Sequence, residues 1–310
     1  MNKITNFVLL KIFIIFQFGV ILSLIFLLFK KHFSENSEKN NDSGNYENIE
    51  EIDSNNFISF KPFIEIAVDD QKFLHGLIRK VKPKKLLELG VSAGGSSSLI
   101  LNAIKDIPNS RLYSIDRRNE WYKNTTKKVG WVVKNYFPQL AKKWTLFSGG
   151  NPAEFLENIG NNIDFVFIDT VHTTPGEMLN WLEVLPFLKE EAIVVFHDIF
   201  LMFYKDNLKS KNVNYSNNQL LCYIRGKLIL PSKSDNLFSR NIGAIKLDKD
   251  QKKYFIQYFI ALGNNWNHFP DEKDLIIFRK HFKKYYVEKL VDIYDDAVQK
   301  NRMRFNSERL

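Results

Sequence analysis

The hydrophobic pattern divides the chain into three parts. From Phe7 to Phe29 runs FVLLKIFIIFQFGVILSLIFLLF, broken by Lys11, Gln17 and Ser23. About 20 apolar residues cross a bilayer as a helix. The run is followed by Lys30 and Lys31, with no small-residue cleavage site, so it reads as an uncleaved transmembrane anchor and not as a signal peptide. Ser34 to Asn56, SENSEKNNDSGNYENIEEIDSNN, has almost no large apolar residues and reads as a flexible acidic linker. From Phe57 onward the pattern becomes globular.

Within that third part, helical and strand spacings alternate. Phe73, Leu74, Leu77 and Ile78 fall at helical spacing between Asp69 and Lys80, and Pro83 ends the run. Short apolar runs at Lys85–Gly90, Arg111–Asp116, Trp144–Phe147, Ile163–Asp169 and Ala192–Phe196 read as strands. Ser96–Ile104 and Glu177–Leu188 read as helices between them. Apolar strands alternating with helices imply an α/β fold with a doubly wound, mostly parallel, Rossmann-like sheet covered on both faces. Asn241–Leu247 looks like one more strand, and Lys252–Leu262 and Leu275–Gln299 look helical. The expected organisation is an anchor over 1–33, a linker over 34–56, a domain over 57–250, and a basic helical extension over 251–310 packed on that domain.

Composition narrows this picture only slightly. The chain of 310 residues is 45% apolar and 25% charged with one cysteine, Cys222, so its core needs no disulfide framework. The net charge of +9 is uneven: residues 201–310 hold 21 Lys+Arg against 12 Asp+Glu, and the rest balances. No nucleic-acid motif accompanies the excess. Its helices mix Lys with aromatics, as in Phe278–Tyr286. Attraction to anionic lipid beside an anchor is the economical use of that charge, and a solvated helix face accounts for it as well.

Two constellations carry candidate chemistry. The first is Glu88-Leu-Gly90-Val-Ser92-Ala-Gly94-Gly95, after a strand and before a helix. Glycines there let the backbone turn tightly and approach a ligand closely. Asp116 ends the next strand, where a carboxylate can accept hydrogen bonds from both hydroxyls of a ribose. The loop has neither the Gly-x-Gly-x-x-Gly spacing of dinucleotide sites nor the Gly-Lys-Ser/Thr of phosphate loops. The second is Asp164-Phe-Val-Phe-Ile-Asp169-Thr-Val-His172, joined by Phe196-His197-Asp198 on the next strand. Strand-end acids converging on one crevice can hold a hard cation such as Mg2+ and lower the pKa of a substrate hydroxyl. Asp169 or His172 can then serve as general base.

The glycine loop resembles motif I of class I S-adenosylmethionine-dependent methyltransferases, typically Glu-x-Gly-x-x-x-Gly. The resemblance implies S-adenosyl-L-methionine as cofactor. It puts Gly90 and Gly94 beside the methionine moiety, with Glu88 and Ser92 in the same loop, and the ribose on Asp116. It gives Asn151 of Ser148-Gly-Gly-Asn151-Pro152 the adenine amino group, although Asn before Pro is equally a helix cap. The run Phe-Ile-Asp169 with His172, a Leu-Pro-Phe-Leu-Lys helix end, then His197-Asp198, is similar to bacterial O-methyltransferases of sugars and natural products, the macrocin and cephalosporin-pathway type, over Lys82–Ile199.

That resemblance implies catalytic Asp169 and His172, Asp169 also beside the cofactor, a metal set of Asp169, Asp198 and His197, and a small-molecule or glycan acceptor. Two departures stand out: relatives often carry Asp-Gly-Asp-His where this chain has Asp169-Thr170-Val171-His172, and Asp where it has His197. Trp121, Tyr122, Trp131 and Tyr136 can stack on adenine, shape the acceptor site or simply fill the core. Methylation of nitrogen or protein, a non-catalytic cofactor-binding module, and an NAD or nucleotide-sugar enzyme are the alternatives. Lysines flank both ends of the anchor, so the positive-inside rule does not orient it; use of S-adenosylmethionine implies a cytoplasmic face.

Overall fold

The computed structural model describes residues 64–201, 213, 215–231 and 241–307, all within one compact unit, 47–310. The expected anchor Phe7–Phe29 and linker Ser34–Asn56 lie outside the described residues. Among the described residues, no helix is long and apolar enough to cross a membrane.

The chain enters through helix α1, Val68–Val81, which buries Phe73, Leu74, Leu77 and Ile78 and ends at Lys82 in the left-handed conformation. Strand β1, Lys85–Leu89, leads through the glycine loop into α2, Gly95–Ile104. Strand β2, Arg111–Asp116, is followed by a small hairpin, β3 Glu120–Trp121 and β4 Asn124–Lys128, and by α3, Trp131–Tyr136. Then come β5 Trp144–Ser148, α4 Pro152–Ile159, β6 Ile163–Ile168, α5 Gly176–Val184 and β7 Leu188–His197. The chain closes with α6 Ser216–Tyr223, β8 Gly226–Ile229, β9 Ile242–Leu247, α7 Phe255–Ala261, α8 Glu272–Tyr285 and α9 Glu288–Ser307.

Seven strands form one sheet in the order β5-β2-β1-β6-β7-β9-β8. Pairing is parallel from β5 to β7, whereas β9 runs antiparallel to both β7 and β8. The mostly parallel Rossmann-like sheet is therefore observed. Strands β1, β6 and β7 lie inside it with helices on both faces, which is why their buried residues are mostly apolar on both sides rather than alternating with polar ones. The register places Leu89 opposite Ile168 and Ile168 opposite Phe196, so the strands end level with one another. The chain crosses to β2 on one side of β1 and later returns to β6 on the other. That reversal opens a crevice at the carboxyl ends of β1 and β6.

Two expected helices end differently. The helix expected over Glu177–Leu188 stops at Val184 and gives way to a tight turn over Leu185–Phe187, because Pro186 cannot donate the helical hydrogen bond. The helix expected over Leu275–Gln299 is two helices. Tyr286 breaks it in an extended conformation. Its ring packs 4.9 Å from that of Phe259 and its hydroxyl donates to the Leu182 carbonyl at 2.6 Å. This buried anchorage outweighs one turn of helix. Through Phe259, Phe278, Phe282, Tyr294 and Trp266 the C-terminal helices share one continuous core with β1, β6 and β7.

Candidate active site

The glycine loop is shaped by its backbone. Gly90 has φ +88°, and a Cβ there would lie 1.8 Å from the Asp169 carbonyl oxygen. Gly94 has φ +98°, with the Gly130 Cα 2.9 Å from the place of a Cβ. Only glycine meets both the left-handed geometry and the close approach. The loop is then tied down from two sides. One oxygen of Asp116 accepts from the backbone N–H of Val91 at 2.9 Å and of Ser92 at 3.0 Å, and the other accepts from Arg118 N–H at 2.8 Å. Glu88 is fully buried and accepts three hydroxyl donors at 2.6 Å: Ser96 on one oxygen, Ser97 and Ser114 on the other. Burial pushes its carboxyl up to about 7, even against those three donors.

A cavity of about 870 Å³ runs along the strand ends. Of the residues singled out from the sequence, Gly90, Ser92, Gly95, Asp116, Trp121, Tyr122, Asn151, Asp169 and His172 line it. Glu88, Gly94, His197 and Asp198 stand behind its wall. Glu88 reaches it only through the serines it holds, and Gly94 through the turn it permits.

At one end of the cavity Asn151 starts α4. Its N–H donates to Glu154 Oε2 at 2.8 Å, and Pro152 takes the first helical position. Its side-chain amide donates to Asp274 of α8 at 2.5 Å. Asp274 in turn pairs with Arg117, which also reaches Asp271 at 3.1 Å. His268, Pro270 and Phe278 complete this end. The segment read as an extension thus supplies part of the cavity wall, which the sequence did not reveal.

At the other end the strand-end acids and histidines converge. His172 Nε2 lies 2.9 Å from Asp198 and 3.9 Å from Asp169, and its Nδ1 lies 3.4 Å from Glu177. His197 Nδ1 lies 3.4 Å from Asp169 and 3.6 Å from Asp198, with Asp70 3.8 Å from its Nε2. Burial pulls the His172 imidazolium down, but Asp198 and Glu177 outweigh it and raise the pKa to about 11. His197 is likewise held well above its usual value by Asp169, Asp198 and Asp70 against its own burial. Burial works against the Asp198 carboxylate, yet its two imidazole neighbours hold it well below the usual range.

The donor atoms of Asp169, His172 and Asp198 lie within 4.8 Å of one another, close enough to share a cation. The expected partner His197 also reaches both acids, its Nδ1 3.4 Å from Asp169 and 3.6 Å from Asp198. Three contributors were missed. Glu177 stands five residues after His172 and was visible only as a helix residue. Asp70 and Asn241 come from distant parts of the chain and gave no signal. Asn241 donates its amide to Asp198 and its backbone N–H to Asp70 at 3.1 Å. Glu65, Tyr122 and Lys123 form a further linked group, the Tyr122 hydroxyl donating to Glu65 at 2.9 Å, and all three line the cavity.

Residues 87–199 match the model of a family described as a methyltransferase domain. No curated protein matches the chain. Among solved structures, it is similar to an O-methyltransferase of Streptomyces achromogenes involved in tomaymycin synthesis, in complex with SAM (18% identity, 60% of this chain and 83% of that one, TM-score 0.42). It is also similar to an O-methyltransferase of Bacillus cereus in complex with SAH (14% identity, 59% and 82%, TM-score 0.41). A third is an SAH-bound methyltransferase of Podospora anserina (14% identity, 57% and 77%, TM-score 0.40).

Proposed function

We propose that the chain is an S-adenosylmethionine-dependent O-methyltransferase acting on a hydroxyl of a small molecule or glycan precursor. One observation carries this reading: a single cavity joins the Gly90–Gly95 loop and Asp116 at the crevice between β1 and β6 to Asp169 and His172 beside it. Its volume accommodates a cofactor together with a modest acceptor. When bound, S-adenosylmethionine supplies a methyl group on a sulfonium, ready for displacement by an oxygen. The chain's own residues do the rest. The Gly90 turn lets the backbone approach the methionine moiety. Asp116 orients the ribose, and Asn151 with the α8 wall closes the adenine end. Much of the rate then comes from holding acceptor and methyl in line.

Of the acids gathered around His172 and His197, Asp169 lines the cavity, and it takes the proton of the acceptor hydroxyl. His172 is engaged by carboxylates at both ring nitrogens. It therefore orients and balances the charge of Asp169 and Asp198 rather than serving as the base. The same group would hold a divalent cation through Asp169 and Asp198, with His172 giving up its proton to join them; Mg2+ is the ion the sequence pattern implies, and it would acidify the acceptor hydroxyl.

The Phe7–Phe29 run supports a location on the membrane, with the domain on the cytoplasmic side where S-adenosylmethionine is available. Incubating the full chain with labelled methyl donor and a membrane extract tests the assignment. Label on a hydroxyl-bearing small molecule or lipid-linked glycan is expected. Label on protein or on nitrogen overturns the O-acceptor, and no transfer at all overturns the enzyme.

A further inference from the structure

The segment from Arg117 to Lys143 carries eight Lys and Arg against one acid, Glu120. It holds the β3–β4 hairpin and α3, and β4 is exposed at every residue. Aromatic rings are set among the charges. Trp121 stands 5.8 Å from Trp131, which stands 5.8 Å from Tyr136. One chain of rings thus runs from the cavity wall at Trp121 out to Tyr136, which is 53% exposed. Cations ride on the rings: Lys127 Nζ is 5.1 Å from the Trp131 centroid, and Lys123 and Arg118 are 5.5 and 5.9 Å from that of Tyr122, itself 49% exposed. Half-wet rings edged with Lys and Arg suit the level at which bilayer headgroups meet water.

Ion pairs take up only part of this charge. Lys123 is held by Glu65 and Lys128 by Glu120. Among the described residues Arg118, Lys127 and Lys134 make no ion pair, and Lys134 is exposed one turn along α3 from Trp131. In the basic C-terminal helices, by contrast, Arg279, Lys284 and Arg302 are tied to Asp295, Glu157 and Glu272. A face of lysines and aromatics suits nucleic acid as well as anionic lipid, and the rest of the chain favours lipid. Only residues 30–63 separate the Phe7–Phe29 run, read as a membrane anchor, from Ile64, at most about 120 Å of extended chain. The chain arriving from that run is then fastened to the hairpin, for Glu65 accepts from the Tyr122 hydroxyl at 2.9 Å and pairs with Lys123.

We propose that the β3–β4 hairpin and α3 form a docking face for an anionic bilayer surface, with Arg118, Lys127 and Lys134 meeting lipid phosphates and Tyr122 and Tyr136 entering the headgroup layer. Trp121, Tyr122 and Lys123 also line the cavity. Docking therefore sets the cavity mouth against the headgroups, and the hydroxyl to be methylated is one carried by a membrane amphiphile. That consequence rests on the methyltransferase reading; the docking does not.

The test follows a polarity-sensitive fluorophore attached through Thr125→Cys in the full chain with Cys222→Ser, mixed with phosphatidylcholine vesicles with and without phosphatidylglycerol. A blue shift on the anionic vesicles alone is expected, reversed in about 1 M salt, where the screening length is about 3 Å. The same label at Lys289→Cys, on α9, is expected not to shift. Each lysine at such a surface contributes about fivefold. Lys127→Glu with Lys134→Glu is therefore expected to lower the docked-to-undocked ratio by about 30-fold or more and to abolish the shift, with melting curves showing that the variant is folded. No shift of the Thr125→Cys label on anionic vesicles, an equal shift on neutral ones, a shift of the Lys289→Cys label instead, a shift that survives the double reversal, or one elicited by oligouridylate in place of vesicles overturns the proposal. S-adenosylhomocysteine titrated into the same samples reads the methyltransferase account separately: cofactor bound without a shift removes only the docking, and a shift without cofactor binding removes only the enzyme.

Discussion

Glu88 offers a quantitative handle on the wall behind the glycine loop. Its carboxyl is fully buried, accepts from Ser96, Ser97 and Ser114 at 2.6 Å, and is pushed up to about 7 from 4.5 by burial. Between these two values the folded chain retains a proton that the unfolded chain has lost. Stability from this group is therefore complete below the unfolded value and falls as pH rises through the folded one. A shift of that size corresponds to roughly 3 kcal/mol. Glu88→Gln removes the titration, because an amide is neutral throughout. It also removes one accepting oxygen, a pH-independent cost of about 1 kcal/mol. Near pH 5 the two chains are expected to be about equally stable, and near pH 8 the wild type the less stable by about 2 kcal/mol. Urea denaturation of both chains at the two pH values reads the gap directly, and titrations elsewhere cancel in the difference. A gap that stays the same refutes the burial-driven shift.

His281 is expected to act in the opposite sense. Its Nε2 faces the Glu183 carbonyl at 2.9 Å, and burial lowers its pKa to about 4. The unfolded chain therefore takes up a proton first as pH falls from 6.5, and up to about 3 kcal/mol is lost on reaching the folded value. Denaturation of His281→Gln across that window should show a flatter profile than the wild type. Asp274→Ala strands the buried Asn151 amide and leaves Arg117 paired with Asp271 alone. A penalty of about 1–3 kcal/mol should appear in the melt, with S-adenosylhomocysteine affinity down by about tenfold in calorimetry. Asp169→Asn should lower kcat by about 100-fold or more while leaving S-adenosylhomocysteine affinity within a few-fold; an unchanged kcat would remove Asp169 as the base.

The strands were readable because burial on both faces makes β1, β6 and β7 mostly apolar, with short apolar cores such as Phe165–Ile168 and Ala192–Phe196. The glycine loop was readable because Gly90 and Gly94 answer a backbone demand that other residues do not meet. Strand-end acids were readable because a charge after an apolar run has few structural reasons to be there. The β3–β4 hairpin was missed because Asn124–Lys128 is exposed throughout, leaving no alternation in the sequence. Asp70, Asn241 and Asp274 reach the site from elements far away in the chain, and contacts of that kind leave no local pattern. The break at Tyr286 was hidden because helical spacing continues across it; the ring's burial against Phe259 decides it.

The most direct measurement is isothermal titration of S-adenosylhomocysteine into the full chain and into Gly90→Ala, with melting curves to show that both are folded. The added methyl group would lie 1.8 Å from the Asp169 carbonyl oxygen in a left-handed backbone, so the turn must open. One molecule bound per wild-type chain, weakened by about 100-fold or more in the variant (roughly 3 kcal/mol), is the predicted result. A folded wild type that gives no binding heat, or a folded variant that binds equally well, contradicts the account.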